Sequence, residues 1–385
     1  MSVALWVLVG VAAAGTLWAA ALSIDGAWRA MSTRVRLARH RARTRPLPLR
    51  VRARHDVTDG LFAVELSHPR GRRLPRARPG QYVTLLLRDA DGVTHRRAYS
   101  VANAMRRARH YELVIRREAA GRVSPRLHHA LMPGAIIDAL PPRGAFTPRA
   151  SRGRPVVLLA GGVGITPLKA MAESLVPRGA QVLLVHVVRT ERELVGAAHF
   201  RAMASRHPRF MYAPFVTRPS DEWTGYTGRP TPAWIDAHAG AAGIARADVY
   251  LCGPDAMMAA LTAGLRALGL NEARCFREDF GCASPVAGET PDEVVPHRVA
   301  LEGTAPVVWQ GEPTLLHCLE EAGAPELRDC GAGHCGSCAV RLVSGTVGEI
   351  RPAQWPLRPG EVLACCVRPT SDVQLGRVGA PVGRA

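Results

Sequence analysis

Five of the nine cysteines crowd into residues 330–366 of this 385-residue chain, as Cys330-x4-Cys335-x2-Cys338 and, after a gap of 26 residues, the adjacent Cys365 and Cys366. Clustered thiols in a chain of this size point to a metal and a reducing compartment, because disulfide scaffolds are small and spread their cysteines. Structural zinc usually takes two C-x2-C knuckles or adds a histidine pair; here one knuckle stands with His334 alone inside the loop. Gly331, Gly333 and Gly336 let such a loop wrap closely and aim backbone N–H groups at sulfur. Either Cys365 or Cys366 supplies the fourth thiolate. Cys275, Cys282 and Cys318 match no ligand position and are read as packing residues.

Ahead of this loop the sequence changes character twice. From Leu47 to about Phe146, the runs LFAVELS, QYVTLLLR, HRRAYSVA, YELVIRR and AIIDALP alternate and are cut by Gly, Pro and Asp, the pattern of a small all-β barrel. From Pro155, the strand-like VVLLAG, QVLLVHVV, FMYAPFV and DVYLC interleave with GVGITPLKAMAESL and DAMMAALTAGLRAL, which implies a parallel sheet with helical crossovers. Gly281 to Pro296 reads as a linker, and VALEGTAPVVWQGEPTLLHCLEEAG beyond it as a hairpin followed by a helix.

The net charge of +18 suggests nucleic acid at first sight, but no nucleic-acid-binding motif accompanies it. Lys169 is the only lysine, so the basic charge is almost all arginine, as a codon bias produces. Ten arginines lie between Arg29 and Arg54 with no acid among them, directly after an uncharged run from Val3 to Ile24. As a helix, that run would cover roughly 33 Å, enough for a hydrocarbon core. The rival is a cleaved signal peptide with a small-residue site near Ala19 to Ala21; the arginine block favours an anchor, with everything after it in the cytoplasm.

Several short motifs resemble those of the ferredoxin–NADP reductase superfamily. Pro79-Gly80-Gln81-Tyr82, Arg97-Ala98-Tyr99-Ser100 and Gly121-Arg122-Val123-Ser124 occur in the order of its flavin barrel. The resemblance implies that Tyr99 packs on the isoalloxazine, that Ser100 bonds near flavin N5 and that Arg97 pairs with a flavin phosphate, with Gly121, Val123 and Ser124 adding donors to it. Pro141 to Phe146 favours FAD, with FMN the alternative. Gly161-Gly162-Val163-Gly164-Ile165-Thr166-Pro167 and Cys252-Gly253-Pro254 resemble the family's nucleotide elements, which places Gly161, Gly162, Gly164 and Thr166 at the pyrophosphate and Cys252, Gly253 and Pro254 at the nicotinamide. Arg189 follows the second strand, where the adenosine ribose lies; NADH and NADPH both stay open. Glu278 and Phe280 resemble a closing E-x-F beside the flavin or nicotinamide. The C-x4-C-x2-C…C spacing is that of plant-type [2Fe–2S] ferredoxins, and their L-A-C sequence favours Cys365, with Cys330, Cys335 and Cys338, as ligand.

The chain is thus expected to be multidomain, α/β and β. The expected order is a transmembrane anchor (1–28), a basic juxtamembrane linker (29–46), a Greek-key flavin-binding β-barrel (47–150), a Rossmann-like NAD(P)-binding domain (151–282), a linker (283–297) and a β-grasp [2Fe–2S] ferredoxin domain (298–385). It is similar to oxygenase reductases of that layout. The resemblance implies hydride transfer from nicotinamide C4 to flavin N5, with Ser100, Cys252 and Glu278 at the reacting centre, then single electrons leaving through the cluster. The implied partner is an oxygenase, hydroxylase or desaturase, membrane-associated given the anchor. Direct ferric or quinone reduction, and a redox sensor or electron carrier with an idle nicotinamide site, are the rival readings.

Overall fold

The computed structural model describes residues 45–378, apart from 59, 89–91, 105–108, 118–123, 150–152, 242, 281–294, 334 and 354. The expected anchor, most of the basic linker, Gly121 to Val123, Cys282, His334 and most of the second linker lie outside the described residues. Among the described residues no helix is long and apolar enough to cross a membrane.

The first domain is an antiparallel sheet of β1 (Leu47–Thr58), β2 (Leu61–Ser67), β3 (Tyr82–Arg88), β4 (Thr94–Ser100), β5 (His110–Arg116) and β6 (Ile136–Arg143), with helix α1 (Ser124–Ala130) before β6. The spatial order is β4-β3-β6-β1-β2-β5. Its two edges meet again where Ala102 N–H donates to the Glu112 carbonyl at 2.8 Å, so the sheet curls into a barrel around Leu49, Val64, Val83 and Leu113. The first strand is an addition to the sequence reading, which stopped the barrel at five. Its arginines hid it. Leu49 and Val51 turn into the core while Arg50 and Arg52 face out, the two-residue period of a half-buried strand. The end of the arginine block, Arg50 to Arg54, therefore belongs to the barrel. Arg54 lies over the Phe62 ring at 4.4 Å and donates to the His128 carbonyl at 2.6 Å.

The second domain is a wholly parallel sheet of β7 (Val156–Gly161), β8 (Val182–Val188), β9 (Phe210–Val216), β10 (Tyr226–Thr227), β11 (Asp248–Cys252) and β12 (Cys275–Glu278), in the order β10-β9-β8-β7-β11-β12. Helices α2 (Ile165–Leu175), α3 (Ala197–Arg206), α4 (Pro232–His238) and α5 (Asp255–Ala267) cover it. Every residue of β7, β8 and β11 is buried, as expected of strands covered on both faces. The chain leaves β7 toward β8 on one side and reaches β11 on the other, so the carboxyl ends of β7 and β11 flank the topological switch point where such sheets bind ligands.

The third domain pairs β13 (His297–Leu301), β14 (Val307–Trp309), β15 (Ala339–Ser344), β17 (Glu361–Leu363) and β19 (Val373–Arg377) as β14-β13-β19-β15-β17, with a separate two-stranded antiparallel sheet of β16 (Val347–Glu349) and β18 (Val367–Pro369). Helix α6 (Leu315–Glu321) buries Leu315, Leu316 and Leu319 against this mixed sheet. The cysteine loop fills the gap between α6 and β15.

Candidate active site

All three domains contribute to one cavity of about 350 Å³. The barrel supplies Tyr82 and Ser100, which face each other across the β3–β4 ladder. The second domain supplies Tyr250, Glu278 and Phe280, and the third supplies Cys330. Side chains alternate across a strand, so Ala98 and Ser100 reach this cavity while Arg97 and Tyr99 point to the other face of β4. There Tyr99 packs on the barrel core, where burial pushes its phenol up to about 12. Arg97 Nη1 lies 3.7 Å from Glu320 Oε1 of α6. Ser124 opens α1, and Gly121 and Val123 are outside the described residues.

Two buried polar atoms along this cavity, Tyr82 Oη and Glu278 Oε2, find no hydrogen-bond partner among the described residues. Burying such atoms unpaired is costly, which makes the cavity fit a polar ligand. Burial, reinforced by Asp279, pushes the Glu278 carboxyl well above the usual carboxylate range. Cys252 is paired in register with Glu278 across β11 and β12 and is fully buried, so its thiol is also pushed up and stays neutral. Glu278 lines the cavity; Cys252 packs behind it in the core of the sheet.

The glycine turn after β7 fits a close approach between two loops. A Cβ on Gly164 would sit 2.1 Å from the Cys252 carbonyl oxygen, and one on Gly253 would sit 2.9 Å from Gly161. Gly161, Gly164 and Gly253 thus let the two strand ends at the switch point touch, while Gly162 takes a left-handed φ of 53°. Thr166 Oγ1 donates to the Val163 carbonyl at 3.0 Å, tightening the entry to α2. His186, fully buried on β8, donates from Nε2 to the Gly162 carbonyl at 3.1 Å; burial lowers its pKa to about 4 and keeps it neutral. Beyond this turn Arg189, Arg218 and Arg229, with Thr217, surround a second cavity of about 690 Å³ at the carboxyl ends of β8 and β9.

The cysteines form two pairs. Cys338 Sγ is 3.3 Å from Cys365 Sγ, and Cys330 donates to Cys335. Donation from Cys338, then from Cys366, holds the Cys365 thiol well below the ordinary range, helped by the Gly333 N–H. Among the described residues no three His, Cys, Asp or Glu side chains close around a single metal ion. Two thiolate pairs suit a binuclear cluster, with two sulfurs per iron. Cys366 Sγ lies 3.7 Å from Cys365 and faces Gly333, where a Cβ would fall 2.9 Å from it.

Family models match in the same order as the domains: an oxidoreductase FAD-binding domain over residues 48–147, an oxidoreductase NAD-binding domain over 158–263 and a 2Fe-2S iron-sulfur cluster binding domain over 301–370. The ferredoxin reductase component of 3-ketosteroid-9-alpha-monooxygenase from Mycolicibacterium smegmatis is 30% identical over 312 residues, 77% of this chain and 86% of that protein. The chain belongs to the ferredoxin reductases that carry FAD-binding, NAD-binding and C-terminal 2Fe-2S domains in this order. The solved phthalate dioxygenase reductase shares the fold of this reductase, with a TM-score of 0.59 at 22% identity, over 86% of this chain and 97% of that one. The flavohemoprotein of Bordetella pertussis is 37% identical over 224 residues, 55% of this reductase and 54% of that protein. The reductase thus spans about half the length of such flavohemoproteins. The cofactors of this family member are FAD, NAD(P)H and a [2Fe–2S] cluster.

Three groups at this site carry little or no signal in the sequence. Tyr82 stands in the sequence only as the last residue of P-G-Q-Y, yet its side chain lines the cavity to which all three domains contribute. His186 is one polar residue in an apolar strand, and its role depends on a turn 24 positions away. Lys169 bridges Glu112 of the barrel and Glu173 of α2, each at 2.8 Å, and so pins the first two domains together. The last had a signal in the sequence: the only lysine of an arginine-rich chain stands in an apolar helix face.

Proposed function

We propose that this reductase oxidises NAD(P)H and delivers single electrons to an oxygenase, hydroxylase or desaturase. The observation that carries this reading is the convergence of Ser100, Glu278 and Cys330, one from each domain, on one cavity. Nicotinamide, flavin and cluster, when bound, would together supply the chemistry that turns a hydride's two electrons into single-electron transfer. The chain's own residues bind and orient. Ser100 offers a buried hydroxyl at the cavity wall, and Glu278 keeps a proton on its carboxyl for donation to a ligand. By the family resemblance Arg97 and Tyr99, on the face of β4 turned away from the cavity, would hold the flavin, with Gly121, Val123 and Ser124 at its phosphate. Gly162, the amino end of α2 and Pro254 would receive the pyrophosphate and nicotinamide, and Cys330, Cys335, Cys338 and Cys365 would hold the cluster. Cys366 stands outside the two thiol pairs, which supports Cys365 as the fourth ligand.

Three arginines around one cavity favour NADPH over NADH. A ribose 2′-phosphate brings a dianion to a place where Arg189, Arg218 and Arg229 each offer a planar fork of donors. The hydrophobic run from Val3 to Ile24 and the arginines after it support a single-pass anchor with the three domains in the cytoplasm, and hence a partner at the membrane surface. Steady-state turnover with an artificial one-electron acceptor tests the enzyme reading. NADPH-driven reduction at a rate well above that with NADH is expected, and no turnover with either nucleotide contradicts it.

A further inference from the structure

Asp329 immediately precedes the first cysteine of the metal loop, and its side chain is 1% exposed. Its carboxylate reaches three separate elements. Thr84 Oγ1, fully buried on β3, donates to Oδ1. Arg143 Nη1, the last residue of β6, donates to Oδ2 at 3.0 Å. Ser337 Oγ, inside the metal loop, donates to the same oxygen at 3.3 Å and accepts from Cys335 Sγ at 3.4 Å. A carboxylate taken out of water is tolerated only when charge and hydrogen bonds replace its hydration, and here the barrel supplies most of that replacement. The match exists only while the third domain rests on the first.

The neighbouring contacts point the same way. Arg96 Nη1 of β4 donates to the Glu326 carbonyl at 3.1 Å, and on the other flank Arg351 Nη1 donates to Asp279 of the second domain at 3.3 Å. Only Asp329, though, combines burial, charge and direct attachment to the loop that brings Cys330 to the cavity wall.

We propose that Asp329 is a positioning residue that fastens the metal loop to the flavin barrel, so that the third domain works as a fixed relay and not as a swinging carrier. The proposal rests on the reductase reading above. Electron transfer weakens steeply with distance, so a loop released from β3 and β6 receives electrons more slowly even when both cofactors are intact.

The test uses the full-length holoenzyme and the variants Asp329→Asn, Arg143→Gln and Thr84→Val. Two readouts are followed: rapid-mixing absorbance with NADPH, which separates flavin bleaching from cluster reduction, and backbone hydrogen exchange in residues 82–88. With Asp329→Asn, flavin bleaching is expected within about twofold of the parent, cluster reduction at least tenfold slower, and exchange in β3 faster. Cluster reduction at the parent rate with unchanged exchange overturns the proposal. Should Asp329→Asn lose iron, Arg143→Gln and Thr84→Val decide, since both lie outside the metal loop; parent behaviour in both overturns it equally. Failure of the parent itself to bleach with either nucleotide sinks the reductase reading, and the exchange measurement still decides whether Asp329 holds the domains together.

Discussion

Glu278 keeps its proton because burial and the neighbouring Asp279 both disfavour the carboxylate. In the unfolded chain the group ionises near 4.5, so above that pH the unfolded state sheds a proton that the folded state retains. Stability then falls as pH rises from the unfolded value toward the folded one. Glu278→Gln removes that slope, and thermal unfolding should show the variant gaining on the parent at pH 8 relative to pH 5. An equal offset at both values would mean that the carboxyl is ionised in the folded protein. His186 has the opposite sign. It is neutral down to about 4 in the fold, so its contribution is present above about 6.5 and drains away as pH falls between the two. His186→Gln keeps a donor for the Gly162 carbonyl and should flatten the acid limb of stability over that window. Gly164→Ala forces a methyl onto the Cys252 carbonyl and should cost about 1–3 kcal/mol, with nucleotide affinity lost before flavin binding. The sequence displayed Gly164, Cys252 and the cysteine spacing because each belongs to a short local motif. Asp329 and Thr84 were invisible in it: 245 positions separate them, and neither stands in a pattern.

At the scale of elements, periodicity located most of the buried strands of the first two domains and lost β1, which is marked by charge, while β12 and β15 to β19 carried no expectation. The apolar runs of β7, β8 and β11 read directly, whereas β1 was hidden because arginine occupies its outward face. Helices α3 and α4 were missed for a similar reason. Each buries only one or two side chains, Phe200 and Met203 in the first and Ile235 in the second, so little apolar pattern marks them. The cavity at the ends of β8 and β9 belongs to this scale too, since Arg189 follows β8, Arg218 follows β9 and Arg229 follows β10. Removing a charged hydrogen bond costs about 1.5–3 kcal/mol, roughly 10- to 100-fold. Arg218→Ala should therefore lower kcat/KM for NADPH by that factor and leave NADH nearly unchanged. Equal losses for both nucleotides would place the arginine elsewhere than at the 2′-phosphate.

At the scale of the whole molecule, electrons are expected to pass from the second domain through the first to the third, and each domain contributes a wall to the central cavity. Domain order was readable because composition changes at Pro155 and again after Gly281. The docking of one domain on another was not, because it depends on contacts such as Lys169 with Glu112 and Arg143 with Asp329, made between residues far apart in the chain. The N-terminal run makes a separate prediction. Deleting residues 1–28 should move the protein from the membrane pellet to the supernatant with turnover intact, and continued pelleting would count against a single anchor. An anaerobic titration of the purified protein with NADPH, followed by optical and EPR spectra, decides whether nicotinamide electrons reach the cluster. Flavin bleaching together with the signal of a reduced [2Fe–2S] cluster is expected. If dithionite reduces both centres and neither NADPH nor NADH does, the protein is not an NAD(P)H reductase.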